Sequence, residues 1–324
     1  MRMRTKAALA ALMLSIASTG AWADASFPSR PITIVVPFTA GGPTDAAARI
    51  VARSIEQSAG QPVIIENIGG AGSTIGAARI AAAQPDGYAL LWATSSAMAI
   101  APHLYPNLKY DAFKSFVPIG MVASSPFVLM VNADSPIKSY ADLVAAARAN
   151  PGKLNYGTPG PGTIQHLTIS LLEQKSGFKA THIPFRGGAP AMTALIGQQV
   201  DFLVDTPAAA LPMVSASKVR AIAITGNTQV PELLLVPTLD NIGLKDVESL
   251  SWYAVYAPLG VPADVLAKLR GYLKTALEQP ETQAILKQTG FTVTSKDADA
   301  LTAFMHSEDD KWRKIIADGK IGLN

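Results

Sequence analysis

Two glycine-rich segments near the start of the chain carry the residues best suited to bind an anion. The first, Phe38–Asp45, reads Phe-Thr-Ala-Gly-Gly-Pro-Thr-Asp and follows the apolar run Ile32–Val36. The second, 67–76, reads Asn-Ile-Gly-Gly-Ala-Gly-Ser-Thr-Ile-Gly and follows the run Val63–Glu66. A strand, a glycine turn and a helix start place bare backbone N–H groups at the positive end of a helix, which stabilises an anion. The two segments therefore predict capture of a small acid.

Three later segments repeat this chemistry: Thr94–Ser96, Gly157–Thr163 and Asp205–Pro207. In each, small or hydroxyl residues follow a predicted strand and precede a helix that starts with a capping residue. Each junction alone also fits an ordinary turn. Because parallel strands deliver their C-terminal ends to one edge of a sheet, we expect the five junctions to form one donor-lined pocket suited to a carboxylate. The candidate ligand-binding residues are Phe38, Thr39, Gly41, Gly42, Thr44, Asp45, Ser73, Thr74, Thr94, Ser95, Thr158, Gly160, Gly162, Thr163, His166, Arg186 and Asp205.

Three charged candidates each have two interpretations. Asp45 falls in the first turn of a predicted helix, where the macrodipole stabilises an acid; alternatively, it accepts a hydrogen bond from an ammonium or hydroxyl group of the ligand. Arg186 precedes two glycines and fits either a surface ion pair or a contact to a ligand carboxylate. Asp205 ends a predicted strand and fits either a cap on the next helix or a ligand contact.

The chain lacks the arrangements typical of catalysis and metal binding. It has no cysteine, which excludes disulfides, thiolate metal sites and a cysteine nucleophile. Its four histidines form no His-x-x-x-His or Glu-x-x-His pair. Neither a Gly-x-Ser-x-Gly elbow nor a Walker phosphate loop occurs. We therefore expect no catalytic residues, no metal and no cofactor, and we interpret His166 as a hydrogen-bonded cleft residue rather than a catalytic base.

The N-terminus has the three parts of a secretory signal. Arg2, Arg4 and Lys6 precede an apolar run over 7–17, and Ala21–Ala23 fits the small-x-small cleavage rule. The run is shorter than the ~20 residues of a membrane span, although an uncleaved anchor is the alternative. We predict a signal peptide over 1–23, cleavage after Ala23 and export to the periplasm.

Cleavage would also neutralise the chain. The full sequence has 27 Lys+Arg and 24 Asp+Glu, and the signal holds three of the cations and no acid. The mature chain would then carry 24 of each sign, so nucleic acid is not an expected partner. About 300 mature residues are enough for a large core and usually divide into two domains.

Short β-rich runs alternate with longer alanine-rich helical runs, which indicates an α/β protein with largely parallel sheets. Transitions near Ser124–Pro126 and Glu248–Ser249 predict that the chain crosses between two lobes there. We place lobe 1 at 24–125 plus 250–324 and lobe 2 at 126–249. The predicted strands are Ile32–Val36, Val63–Glu66, Ala89–Ala93, Val117–Val122, Phe127–Val131, Leu154–Tyr156, Thr181–Pro184, Asp201–Val204, Ala221–Thr225 and Trp252–Tyr256.

Helices are predicted from caps and apolar spacing. One begins at Pro43 and buries Ala47, Val51 and Ile55, because these fall on one helical face. A second begins near Thr163, and a third, amphipathic helix covers 298–317.

Taken together and in order, the motifs resemble the tripartite tricarboxylate transporter substrate-binding family, in particular its Bordetella-uptake-gene branch. The resemblance covers essentially the whole predicted mature chain. The matching segments are Pro31–Asp45, Asn67 with Gly70–Gly76, Pro85–Tyr88, Tyr156–Leu167, Pro184–Gly187, Pro190–Ala191, Gly197–Asp201 and Ala257–Ala263.

The resemblance implies a periplasmic Venus flytrap, an α/β protein of two lobes that closes over one small acid. It implies that backbone N–H groups and ordered waters of the loops Phe38–Asp45 and Gly70–Gly76 hold one carboxylate, while Thr158–Thr163 closes from the second lobe. Ligands in the family are di- and tricarboxylates, amino acids and aromatic acids, and the partners are integral membrane permease subunits. Thr39, Ser73 and several other positions depart from the family pattern, so the resemblance does not identify the ligand. We expect a monomer.

Two other functions fit parts of the sequence. A ligand-loaded sensor that docks on a signalling receptor would need the same fold and the same cleft. A nucleotide-dependent enzyme is suggested by the spacing Gly70-x-Gly72-x-x-x-Gly76, which is one residue longer than the dinucleotide fingerprint. Asp86, the acid that would bind the ribose, precedes the next strand instead of ending it, which argues against the enzyme.

Overall fold

The fold is built on two β-sheets flanked by helices. In this computed structural model, residues 27–245 and 247–323 are described; the predicted signal peptide lies outside them. The strands are β1 (Ile32–Val36), β2 (Val63–Asn67), β3 (Ala89–Thr94), β4 (Phe116–Pro126), β5 (Val128–Asn132), β6 (Asn155–Thr158), β7 (Thr181–Pro184), β8 (Phe202–Asp205), β9 (Val219–Ile224), β10 (Leu250–Pro258) and β11 (Thr292–Val293).

Helices cover both sheets, and short 3₁₀ turns and one π-helical turn, Ser96–Ile100, lie between them. No helix within the described ranges is long and apolar enough to cross a membrane. The α-helices are α1 (Pro43–Ala59), α2 (Thr74–Ala81), α3 (Ala101–Leu104), α4 (Tyr140–Ala149), α5 (Ile164–Ser176), α6 (Gly188–Ile196), α7 (Pro207–Ser215), α8 (Ala263–Glu278), α9 (Pro280–Gln288) and α10 (Ala298–Gly319).

The first sheet has the strand order β11-β4-β10-β3-β1-β2. β1 pairs in parallel with β2 and β3, whereas β10 pairs antiparallel with β3 and β4. The chain leaves this sheet through β4 and returns through β10, so these two adjacent strands run in opposite directions. We call the part of the molecule built on this sheet the first lobe.

The second sheet has the order β7-β6-β8-β5-β9. β6 is parallel to β7 and β8, while β5, the first strand after the crossing, is antiparallel to β8 and β9. We call the part built on this sheet the second lobe. In each sheet four strands share one direction, as predicted for two mostly parallel lobes, and the exceptions are β5, β10 and the short β11. The lobe boundaries at 125/126 and 249/250 stay a prediction.

Helix α1 shows how local sequence sets an element that supports the cleft. Gly42 precedes it in an extended conformation, Pro43 occupies its first turn, and Gly60 ends it with a left-handed φ of 66°. Val51 and Ile55 are buried on the face toward the first sheet, in a core cluster with β1. The start of α1 is thereby fixed just beyond the C-terminal end of β1.

The C-terminal helix α10 lies along the crossing strands and reaches both lobes. Its Glu308 is buried and accepts hydrogen bonds from the indole N–H groups of Trp252 on β10, at 3.0 Å, and of Trp312, at 3.3 Å. Near its end, the Gly319 backbone packs against the Gln174 side chain of α5 in the second lobe. The predicted amphipathic helix over 298–317 is therefore present as α10 and contacts both lobes.

Candidate functional site

A cavity of about 500 Å³ lies between the lobes, at the C-terminal ends of one parallel strand pair from each sheet, β1 with β2 and β6 with β7. Two loops of the first lobe, after β1 and β2, face two loops of the second lobe, after β6 and β7. The residues that line it are Pro37, Phe38, Thr39, Gly69, Gly70, Ala71, Gly72, Ser73, Pro159, Gly160, Pro161, Thr163, Pro184, Phe185, Arg186 and Gly187. Six of the predicted ligand-binding residues are among them: Phe38, Thr39, Ser73, Gly160, Thr163 and Arg186.

The Asp45 side chain stabilises the loop after β1 through hydrogen bonds. Its carboxylate accepts hydrogen bonds from the Gly41 N–H at 2.9 Å, from Arg49 Nε at 3.0 Å and from Asn67 Nδ2 at 3.0 Å. Burial alone would raise the pKa of Asp45, but the hydrogen bonds from Arg49, Gly41 and Asn67 outweigh it and the pKa is lowered. Asn67 also donates to the Phe38 carbonyl. The carboxylate is therefore ionised and holds the loops after β1 and β2 together.

The second loop of the first lobe is left-handed over four consecutive residues. Gly70, Ala71, Gly72 and Ser73 have φ values of 126°, 46°, 60° and 79°. Residues other than glycine seldom adopt positive φ, and clusters of such residues occur at ligand sites. The hydroxyl of Ser73 is buried, and within the described ranges it has no hydrogen-bond partner.

Backbone donors complete this side of the cavity. Among residues 27–245 and 247–323, no acceptor receives the N–H of Thr39 or of Gly70. Both residues line the cavity beside the unpartnered Ser73 hydroxyl. Among the described residues that line the cavity, those of the first lobe therefore offer neutral donors and no acid, which suits a carboxylate.

The loop after β6 is held by two stacked histidines. The Gly162 N–H donates to His166 Nδ1 at 3.3 Å, and the Thr158 hydroxyl lies 2.5 Å from His182 Nε2. The two imidazole rings stack with their centres 4.2 Å apart. Burial lowers the pKa of His166 to about 4, and burial together with His166 lowers the pKa of His182 to about 3. Both rings are therefore neutral at pH 7 and act as structural supports.

Arg186 is the one charged side chain among the described residues that line the cavity. It is exposed, and within the described ranges no carboxylate pairs with it. Gly187, which follows it, has a φ of 122° and faces Thr39 of the first lobe so closely that a Cβ there would overlap the Thr39 hydroxyl. The loops of the two lobes are therefore in contact at this edge of the cavity.

At four of the five predicted junctions the residue before the helix does not cap it through its side chain, whereas at the third the Thr94 hydroxyl accepts the N–H of Ala97 at 3.5 Å. Gly42, Ser73, Thr163 and Thr206 precede α1, α2, α5 and α7, and none of them accepts a hydrogen bond from its helix through a side chain. The Thr163 hydroxyl donates instead to the Gly160 carbonyl at 2.8 Å, and Gly42 has no side chain. The prediction of side-chain caps is wrong at these four helices, because the Thr163 hydroxyl bonds within its loop and those of Ser73 and Thr206 have no partner within the described ranges.

The other eleven predicted residues are not among those that line the cavity. They are Gly41, Gly42, Thr44, Asp45, Thr74, Thr94, Ser95, Thr158, Gly162, His166 and Asp205. Ser95, for example, accepts the N–H of Trp252 at 3.4 Å and donates to the Leu250 carbonyl, so it fastens β10. Whether any of them contacts a ligand stays a prediction.

Asp205 lies at the seam between the lobes. It is 3% exposed, accepts the Thr206 N–H at 2.7 Å, and burial raises its pKa to about 6. Two residues further on, Pro207 contacts Gly290 of the first lobe.

Asp86, the acid considered for ribose binding, instead pairs with Arg30 at 2.8 Å before β3. Within the described ranges, no three His, Cys, Asp or Glu residues are grouped to hold a metal ion.

Ten lining residues were not named individually from the sequence, although 69–72 lie in the predicted segment 67–76, and Pro159 and Pro161 lie in the predicted loop Thr158–Thr163. They are Pro37, Gly69, Gly70, Ala71, Gly72, Pro159, Pro161, Pro184, Phe185 and Gly187. None has a polar side chain, so the only signal for Pro37, Pro184, Phe185 and Gly187 was their position close to Phe38 and Arg186 in the sequence.

Two lobes joined by crossing strands, with a donor-lined cavity between their strand ends, define a two-lobed solute-binding protein. The family described as the tripartite tricarboxylate transporter family receptor, TctC, matches residues 47–323. The chain belongs to this family, and membership implies a periplasmic location.

Solved structures support the assignment. The periplasmic binding protein BugD is 36% identical, with a TM-score of 0.87 over 91% of this chain and 99% of that chain. Rpa4515 of R. palustris, solved with adipate, is 30% identical, with a TM-score of 0.88 over 91% and 99%. MatC from Rhodopseudomonas palustris, with bound malate, is 31% identical, with a TM-score of 0.85 over 90% and 100%. The chain is therefore a Bug-type member of the family.

Proposed function

We propose that this protein captures a small dicarboxylate between its lobes and delivers it to a membrane permease of the tripartite tricarboxylate type. The observation that carries the proposal is the pairing of neutral donors on one wall of the cavity with an unpaired arginine on the other. One carboxylate of the ligand binds the N–H groups of Thr39 and Gly70 and the Ser73 hydroxyl. Arg186 binds the second.

The electrostatics of the cavity favour an anion. Its described lining has one cationic side chain and no acidic one. Asp45 is ionised, but its oxygens are occupied by Gly41, Arg49 and Asn67, so it stabilises the loop instead of repelling the ligand. A volume of about 500 Å³ lies within the range typical of small-molecule sites. Adipate and malate, which are bound by two of the similar proteins, carry two carboxylates each.

Binding would be coupled to closure. A ligand that contacts both lobes favours the closed arrangement by its differential affinity for that state. The closed form is then the one that docks on the permease, because only it presents both lobes in a fixed relation.

Isothermal titration calorimetry of refolded, ligand-stripped protein tests the proposal. Malate and adipate are the probes, and their diamides are matched controls of similar shape without charge. We expect heat from at least one diacid and none from its diamide. Binding of the diamides with equal affinity, or binding of no acid by protein verified as folded, would contradict the carboxylate site.

Delivery needs a separate measurement. Membranes from cells that contain the permease are mixed with the loaded protein and with the stripped protein, and the bound fraction is compared. We expect the loaded protein to be retained more strongly. Equal retention of both forms would contradict ligand-dependent docking.

A further inference from the structure

Tyr105 of the first lobe makes a hydrogen bond to the second lobe beside the cavity. It follows α3 and is half-buried, and it is not among the residues that line the cavity. Its hydroxyl donates to the Pro161 carbonyl at 3.2 Å. Pro161 belongs to the loop between β6 and α5, which forms the second-lobe wall of the cavity. The bond therefore joins the lobes without occupying the ligand's space.

Two left-handed glycines make room for the phenol. A Cβ on Gly72, in the first-lobe loop, would lie 2.7 Å from Tyr105 Oη and 3.0 Å from the Pro161 carbonyl oxygen. A Cβ on Gly162, in the second-lobe loop, would lie 3.1 Å from Tyr105 Cε2. Their φ values are 60° and 71°. The ring is thus seated against backbone from both walls, so its position depends on both loops being together.

A second contact between the lobes starts from the same stretch of chain. The Ser96 hydroxyl accepts the N–H of Ile164, the first residue of α5, at 3.0 Å. Ser96 opens the π-helical turn that leads into α3 and Tyr105. The segment 96–105 of the first lobe therefore contacts both the loop and the helix start on which the second-lobe wall is built.

We propose that Tyr105 is a positioning residue that latches the closed cleft and thereby slows the escape of the ligand. The proposal rests on the proposed function, since it concerns retention of the same solute. Because Tyr105 contacts the opposite lobe and not the cavity, it adds the same closure energy for every ligand. It raises affinity without contributing to selectivity.

The substitution Tyr105→Phe removes only the hydroxyl. The loss of one net hydrogen bond predicts an affinity about 2- to 10-fold weaker, through a faster dissociation rate. The loss should be the same for malate and adipate. Tyr110→Phe is the matched control, because the Tyr110 hydroxyl donates to the Ala97 carbonyl within the first lobe. It should leave affinity unchanged.

A readout that needs no ligand separates the latch from the proposed function. Since the chain has no cysteine, Arg79→Cys on α2 and Thr193→Cys on α6 allow one spin label per lobe at exposed sites. Pulsed dipolar spectroscopy then measures the distance between the lobes, with and without malate or adipate. We expect Tyr105→Phe to shift the distribution of distances between the labels to longer values. Tyr110→Phe should give the same distribution as the labelled protein that keeps both tyrosines.

The outcomes are distinguishable. If the unsubstituted protein binds neither acid, the proposed function fails, whereas a longer distance in Tyr105→Phe still supports the latch. If affinity and distance are both unchanged in Tyr105→Phe, or if the lobes are open in every condition, the latch is overturned. A change in affinity for one acid only would assign Tyr105 to selectivity and would also overturn it.

Substitution of Gly72, which packs against the Tyr105 ring, gives a second test. Gly72→Ala should lengthen the distance because its Cβ would meet the Tyr105 hydroxyl, whereas Gly60→Ala, at a similar φ of 66° with nothing within 4 Å, should not. Equal distances in the two alanine variants would contradict the seating of Tyr105 against Gly72.

Discussion

The two walls of the cleft use different chemistry. The first-lobe wall presents backbone N–H groups and the buried Ser73 hydroxyl on loops fixed by the buried Asp45. The second-lobe wall presents Arg186 on an exposed loop, beside a glycine–proline loop supported by two neutral histidines. Backbone donors recognise any carboxylate, whereas the Arg186 guanidinium adds a charge that only a ligand with a second acidic group can meet. The comparison suggests that the first wall provides capture and the second provides selectivity.

Replacing Arg186 should distinguish the roles of the two walls most clearly. In Arg186→Gln, loss of a charge-assisted contact predicts about 10- to 100-fold weaker binding of malate and adipate. A monocarboxylate such as butyrate should bind both proteins equally, because only the first wall would hold it. Calorimetry measures these affinities, and Arg53→Gln, on the outer side of α1, is the control. An equal loss for butyrate would contradict the division of roles.

The histidine support predicts a pH dependence of stability that belongs to the second wall. The pKa of His166 is about 4 in the folded protein, below its ordinary value of 6.5. The unfolded chain therefore binds more protons as the pH falls, and stability is lost between pH 6.5 and 4. His166→Asn, which keeps an acceptor for the Gly162 N–H, should reduce the loss between pH 7 and 4.5 by about 2 kcal/mol.

Urea unfolding at several pH values checks this, with His306→Asn on the exposed face of α10 as control. Asp205 acts in the opposite direction, because its pKa of about 6 lies above its ordinary value and the folded form gains stability as it is protonated. An unchanged pH profile in His166→Asn would show that the ring is not held neutral by the fold.

The smallest effect is expected at Ser73 in the first wall. Its buried hydroxyl has no partner within the described ranges, so Ser73→Ala should leave the free energy of unfolding unchanged or slightly higher. Binding of malate, adipate and butyrate should weaken together, about 2- to 5-fold. Chemical denaturation and calorimetry measure the two effects. A clear loss of stability would indicate a structural role for the hydroxyl.

How far the sequence predicts the molecule depends on the range of the interactions. The β1 strand, the glycine turn and the start of α1 follow from local rules, and the structure has β1 over Ile32–Val36 and α1 from Pro43 as expected. The reversal of β5 and β10 depends instead on how the chain crosses between sheets. The pairing of His166 on α5 with His182 on β7 is a tertiary contact that no spacing encodes.

The site shows the same limit. Asp45 was correctly placed in the first turn of a helix, but its contacts to Asn67 and Gly41 come from folding two loops together. Ser73 has a positive φ, which residues other than glycine seldom adopt. The orientation of its side chain could therefore not be predicted from the sequence. The local conformational preferences of single residues therefore do not predict the loops that form the cavity.

A crystal structure of the protein with the diacid that it binds most tightly would test the division between capture and selectivity most directly. We predict one carboxylate against the N–H groups of Thr39 and Gly70 and the Ser73 hydroxyl, and the other paired with Arg186. A bound diacid that leaves Arg186 unpaired, or that turns both carboxylates away from the first wall, would contradict the account.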